Sequence, residues 1–438
     1  MEQKPSSICG IFKGHFRLFY GLSSILNNPP PLGARENNSQ EQVNVMITRP
    51  SSDDFKIFNE EFRFRDMEFD DLLASFRGVL NHPGDAIARV ILIGPPGSGK
   101  SFILDNFQNK ITNGQILNTD NGIRLNCVTV DCNRHESSKS VVFEIIQKID
   151  PYFRAILAEC QTAELQYILA DILNEREEAL IIIFDNIDTL VEKEPEEVNS
   201  LIYGFQRFSE GKTKDEPNLF SQILVAHDID FLQELDESVF RRVVTDVIPF
   251  EPYSAEQTHQ LLTEYIKKNI RKKIVNETIW FIAMISQGNM RLAIELLDRA
   301  SVYAQQNHQI TIIPEHVRAA NTKLTDFRVT NQMIEELPYG EKLLLMTIAR
   351  RFQSNSRAFI NFLDLPGLFF SICEEYDTLQ TAKYFSDILT NLENMALIGI
   401  HNIERDVIVT LSDISAVELS TRLEKEFKKK RRNQPYFT

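Results

Sequence analysis

A chain of 438 residues has room for two or three domains with separate cores, and 43% apolar with 25% charged residues is the composition of an ordinary globular protein. The formal net charge of −15 excludes a protein that grips nucleic acid through a generally positive surface, leaving a local patch or a more basic partner for that role. No apolar run reaches the roughly 20 residues of a membrane span, so no membrane role is expected, and the scattered Cys9, Cys127, Cys132, Cys160 and Cys373 suit reduced intracellular thiols.

In chain order, residues 1–50 form an N-terminal extension expected to be flexible. Its apolar stretch Ile8–Leu26 is interrupted by Lys13, His15 and Arg17, and the Pro/Asn-rich Asn27–Asn44 is a linker. Phe55–Leu80 has helical spacing and is broken by Asn81–Asp85. Strand-like runs follow at Val90–Ile93, Leu125–Val130, Leu180–Phe184, Ile223–Ala226 and Val243–Ile248, with amphipathic stretches between them at Lys139–Ile149 and Thr162–Leu173. That βαβ rhythm predicts an α/β core with a parallel sheet covered on both faces.

From Ser254 the pattern becomes helices alone. Ser254 with Gln257 makes a capping box for Ala255–Asn269. Glu277–Ser286 and Met290–Gln306 follow, and Pro314 starts another helix. The third unit has helices at Gly340–Phe352 and Tyr384–Asn394. A hairpin of Leu397–His401 and Asp406–Leu411 comes next, then a last helix capped near Ser412 or Asp413 and ending in the basic block Lys428–Arg432. Helices followed by a hairpin predict a winged helix. The implied division is 1–50 extension, 51–252 core, 253–328 helical lid and 329–438 winged helix with a basic tail.

The strongest chemical signal is Gly94-Pro95-Pro96-Gly97-Ser98-Gly99-Lys100-Ser101, between a strand and a helix opening at Phe102. Glycines allow a tight turn whose N–H groups converge on phosphate oxygens, and the helix N-terminus adds its dipole to the same anion. Lys100 would neutralise the β- and γ-phosphates of ATP, and Ser101 would ligate Mg²⁺. Asp185, closing the run Ile181-Ile182-Ile183-Phe184, would hold the magnesium water shell. Asn186 follows it. An amide binds water but cannot accept its proton, so binding is expected and rapid turnover is not.

Gly94–Ser101, Phe184-Asp185-Asn186-Ile187-Asp188 and Gly288-Asn289-Met290-Arg291 together resemble the initiator branch of AAA+ ATPases, which includes the origin recognition complex. Ile223–Arg242 resembles subunit 4 of that complex most. The resemblance spans Phe55–Arg432 and implies an AAA+ P-loop core, a helical lid and a C-terminal winged helix. It further implies a nuclear hetero-oligomer with other origin recognition complex subunits, meeting double-stranded DNA through the assembled complex. It places His227 as a γ-phosphate sensor, Arg291 as a lid arginine over the nucleotide, and Arg242, preferred to Arg241, as an arginine finger toward a neighbour's ATP. In the winged helix Lys383, His401 and Arg405 are the cations offered to DNA. An independently active helicase-loading ATPase and a P-loop signalling switch are the competing expectations.

Overall fold

The computed structural model describes residues 64–114, 122–154, 159–208, 217–235, 246–324, 330–355, 357–378, 382–403, 406–411 and 413–433. The 1–50 extension, the start of the expected Phe55–Leu80 helix, and Arg241, Arg242 and Arg405 lie outside the described residues, as do the side chains of Lys383 and Lys429–Arg432.

The first helix, α1 (Asp66–Asn81), ends where the Asn81–Asp85 break is expected. Strand β1 (Arg89–Ile93), helix α2 (Lys100–Thr112), strand β2 (Arg124–Asp131), helices α3 (Ser138–Ile149) and α4 (Thr162–Glu175), and strand β3 (Glu178–Asp185) follow. Helices α5 (Ile187–Lys193) and α6 (Pro195–Arg207), strand β4 (Phe220–Ala226) and strand β5 (Asp246–Pro249) complete the core. The strands form one five-stranded sheet in the order β2-β3-β4-β1-β5, parallel throughout.

Alternation along β3 explains its unbroken apolar run. Leu180, Ile182 and Phe184 join one core cluster with Val141, Ile145, Leu165 and Leu201 from α3, α4 and α6. Ile181 and Ile183 join the other, with Phe76 and Phe107 from α1 and α2. A strand covered on both faces needs apolar residues at both parities. The carboxyl ends of β3, β4 and β1 therefore lie side by side, and the crevice outside such strand ends is where open α/β sheets place ligands.

The second region is helical: α7 (Ala255–Asn269), α8 (Asn276–Ile285), α9 (Met290–Gln306) and α10 (Pro314–Leu324) around their own apolar cluster. The capping box is present, with Ser254 Oγ accepting from Gln257 N at 3.1 Å and Gln257 Oε1 accepting from Ser254 N at 2.9 Å. The expectation of helices alone needs correcting. Strands β6 (Lys273–Ile274) and β7 (Thr311–Ile312) pair in parallel, and two-residue strands carry no period a sequence could show.

The third region holds α11 (Asn331–Glu336), α12 (Tyr339–Asn355), β8 (Ile360–Asn361), α13 (Leu365–Glu375), α14 (Ala382–Asn394), β9 (Gly399–Ile403), β10 (Asp406–Thr410) and α15 (Ala416–Asn433). The antiparallel sheet β8-β10-β9 against helices is the layout of a winged helix. Strand β8 and helix α13 were not among the expected elements. The cap of α15 also differs: Ser415 Oγ accepts from Glu418 N at 3.2 Å, while Asp413 Oδ1 accepts from Asn321 of α10 at 3.1 Å. Among the described residues, no helix is long and apolar enough to cross a membrane.

Candidate nucleotide-binding site

The loop after β1 folds as its glycines require. Gly97 and Gly99 have φ of 75° and 98°, left-handed values that a side chain resists, and Gly99 is the residue from which α2 starts. Lys100 is 8% exposed, and its Nζ donates to Gly94 O and, at 3.1 Å, to Pro95 O. Burial is the main cause that lowers its pKa to about 8. The Asp185 and Asp188 charges oppose that shift, and Arg291 and Arg65 add to it.

Ser101 Oγ donates to Asp185 Oδ2 at 3.4 Å, bringing the two expected magnesium residues together. Burial raises the Asp185 pKa, helped by Asp131 and opposed by Lys100. Asp131 is its register partner on β2. These hard oxygen donors suit Mg²⁺. Among the described residues no group of three or more His, Cys, Asp or Glu could hold a metal ion, and Mg²⁺ on one or two protein oxygens keeps waters or takes phosphate oxygens for the rest of its shell. Phe102, on α2 and expected with the loop as a nucleotide-binding residue, is half-buried and its side chain packs on the apolar cluster beneath the sheet.

Asn186 has φ of 55°, and its side-chain amide donates to Asp131 Oδ1 at 2.9 Å. Asp188 takes both donors of His227, the backbone N–H at 2.9 Å and Nδ1 at 2.5 Å. The hydrogen bond to Asp188 raises the His227 pKa against the opposing pull of burial. For Asp188, burial pushes the pKa up, but the His227 hydrogen bonds outweigh it and the pKa falls. With Nδ1 committed to Asp188, Nε2 is the nitrogen His227 can turn to a ligand.

The lid reaches the same loop through the start of α9. Met290 N donates to Gly97 O at 3.2 Å, and Asn289 caps the helix by accepting from Leu292 N at 3.1 Å. Arg291, the next residue, is exposed and close enough for its charge to act on Lys100. Arg299 binds Glu295 Oε1 at 2.8 Å, the i−4 partner expected for it.

Arg65 was not among the expected residues. Its buried guanidinium donates to Ser98 O at 3.0 Å and to Glu251 O at 2.5 Å, and pairs with Glu68 at 2.6 Å. It also stacks over the Tyr253 ring at 4.2 Å. One side chain thus ties the phosphate loop to the linker that leads into the lid. Those partners lie 33 and 186 residues away in sequence, so only the Arg65–Glu68 spacing on one helix face was available as a signal.

Comparison with known proteins agrees with this geometry. The AAA domain family matches residues 88–235, and the Cdc6 AAA+ ATPase-type lid domain matches residues 270–322. The ORC1-type DNA replication protein 2 of Sulfolobus acidocaldarius is 26% identical over 315 residues, covering 67% of this chain and 72% of that protein. The ORC1-type DNA replication protein of Pyrococcus furiosus is 24% identical over 331 residues, covering 72% and 74%. Among solved structures, Cdc6p from Pyrobaculum aerophilum superposes with a TM-score of 0.73 at 21% identity, covering 87% of this chain and 99% of that one. The Aeropyrum pernix ORC1 protein in complex with DNA gives 0.51 at 18% identity, covering 86% and 98%. The fold is that of an AAA+ protein with a parallel sheet and a helical lid.

Proposed function

We propose, from the similarity of this chain to ORC1-type DNA replication proteins and to the Cdc6 AAA+ ATPase-type lid domain, that it is an ATP-binding subunit of a replication-initiation assembly. In this reading residues 1–50 are an extension, 51–252 the ATPase core, 253–328 the lid, and 329–438 a winged helix with a basic tail. The resemblance of Ile223–Arg242 favours the subunit-4 position of an origin recognition complex, acting on double-stranded DNA in the nucleus beside other subunits.

One observation carries the nucleotide part. Lys100, Ser101 and Asp185 meet at the strand ends directly beneath a lid helix whose Met290 N–H is bonded to Gly97 O. Loop N–H groups of residues 97–101 and the α2 N-terminus would receive the phosphates. Lys100 would regain its full charge against them, and Arg291 and His227 Nε2 would approach from the lid and from β4. Mg²⁺ on Ser101 and Asp185 would offset phosphate charge. Asn186 offers no carboxylate, and its side-chain amide donates to Asp131. Turnover by the chain alone is therefore slow in this account, which weighs against an independently active ATPase. Arg242 is proposed to serve a neighbour's ATP as an arginine finger. The test is calorimetric titration with Mg·ATP. Wild type binds and Lys100→Ala does not; equal binding by both refutes the site. Arg242→Ala keeps this chain's own affinity and slows its partner, whereas a collapse of its own affinity ends the finger role.

A further inference from the structure

Among the described residues, this acidic chain carries a dense cationic segment that the nucleotide site does not use. Lys267-Lys268-Asn269-Ile270-Arg271-Lys272-Lys273 puts five cations in seven residues, running from the last turn of α7 into β6. Lys267, Lys268, Arg271 and Lys273 are exposed. Lys272 is half-buried, anchored by donation from Nζ to Ser301 O at 2.8 Å. Two residues beyond Ser301, Tyr303 carries the Lys323 ammonium over its ring at 5.0 Å.

The ordinary role of such lysines is to complement the carbonyl end of a helix. That accounts for Lys267 and Lys268. It does not account for Arg271 and Lys273, which lie beyond the end of α7. Three other exposed lysines sit on carboxylates, in the pairs Lys148–Glu144 at 2.6 Å, Lys193–Glu136 at 3.3 Å and Lys428–Glu424 at 3.5 Å. Among the described residues, no ion pair includes Lys267, Arg271 or Lys273. Concentrated like charges without acids raise one another's energy, and a polyanion relieves it. A protein partner would want an apolar centre in the contact. The exposed Val275 and Ile310 beside the run supply little of that, and Ile270 is turned toward the lid core.

We infer that this lid segment is a contact surface for the phosphate backbone of duplex DNA, with Lys267, Arg271 and Lys273 each meeting a phosphate. It is a local basic patch of the kind through which a chain of net charge −15 can contact DNA. Backbone contacts of this kind position the chain and read no sequence. The inference rests on the reading of the chain as a DNA-contacting initiator protein.

The test is fluorescence anisotropy of a labelled 30-base-pair duplex with the full-length protein, titrated at KCl concentrations from 50 to 200 mM. The triple variant Lys267→Ala/Arg271→Ala/Lys273→Ala is expected to bind about tenfold or more weakly at 50 mM. Its slope of log affinity on log salt is shallower by about 2.7, the release expected for three phosphates. Lys267→Arg/Lys273→Arg keeps wild-type affinity, which separates charge from folding. Equal slopes for the triple variant and wild type overturn the inference. So does wild-type protein that captures polyglutamate but not duplex, which would point to an acidic protein partner. Mg·ATP titration of the same preparations is expected to be unchanged by the triple variant. Failure of the wild type to bind ATP would instead count against the functional reading.

Discussion

Two buried cations divide the labour of this molecule. Arg318, on α10, is fully buried where the lid meets the winged helix, and every arm of its guanidinium is matched. Nε donates to Leu411 O at 2.8 Å, Nη2 to Arg357 O at 2.9 Å and Ala358 O at 3.3 Å, and Nη1 pairs with Glu315 at 3.2 Å. The Phe352 ring lies 4.3 Å away. Burial lowers its pKa, but only to about 10, so it stays charged. Glu315 in turn accepts from Ala416 N at 3.3 Å at the start of α15, and Glu277 accepts from Ala358 N at 2.9 Å. Lys100 is almost as deeply buried, yet its donors go to loop carbonyls and none reaches a carboxylate. Its pKa falls to about 8. A satisfied buried network rigidifies a joint; a desolvated cation at a strand-end crevice is held ready for an anion. The lid and winged helix are thereby fixed to each other, while the lid meets the core through contacts that a nucleotide would share.

That contrast can be broken at either end. The largest expected effect is at the joint. Arg318→Met strands the buried carbonyls of Leu411 and Ala358 and leaves Glu315 without its ion-pair partner, and should cost about 3–5 kcal/mol of unfolding free energy in urea titration, whereas Lys100→Met should cost under about 1 kcal/mol. Comparable losses would erase the distinction. The next is a pH effect. The Lys100 pKa is lowered from 10.5 to about 8, so between those values the unfolded chain binds the proton that the folded chain has released. Stability contributed by this group therefore rises with pH across that window and is flat below it. Wild type should gain about 1.5 kcal/mol relative to Lys100→Met between pH 8 and 9.5.

Arg65→Lys keeps the charge but loses the fork between Ser98 O and Glu251 O and the stacking on Tyr253. It should weaken ATP binding about tenfold, close to 1.4 kcal/mol, and shift the ratio of ATP to ADP affinity. An unchanged ratio would reduce Arg65 to a packing residue. The smallest effect is Ser254→Ala, which removes the α7 cap and should lower stability by about 1 kcal/mol without altering nucleotide affinity.

What the sequence revealed follows the range of the interactions involved. The phosphate loop, the β3 run ending in Asp185 and the Ser254–Gln257 box are local patterns, and each is found where its spacing predicts. Arg65 and Arg318 were invisible because their partners are brought up by tertiary folding, 186 residues away for Glu251 and 93 for Leu411. In the sequence Asp188 is only the last residue of a motif and His227 only a sensor position. Their 39-residue separation hid the hydrogen bond that orients the imidazole. The seven-residue basic run of the lid was readable in the chain, and its significance depended on seeing which of its cations lack acids.

The most direct measurement is Mg·ATP calorimetry at pH 8.5 in two buffers of different ionisation enthalpy. If phosphate settles on Lys100, binding takes up about 0.7 proton in wild type as that ammonium is restored, and a Lys100→Met variant shows neither the heat nor the proton. Binding with no proton uptake, or uptake that persists in Lys100→Met, would contradict the account.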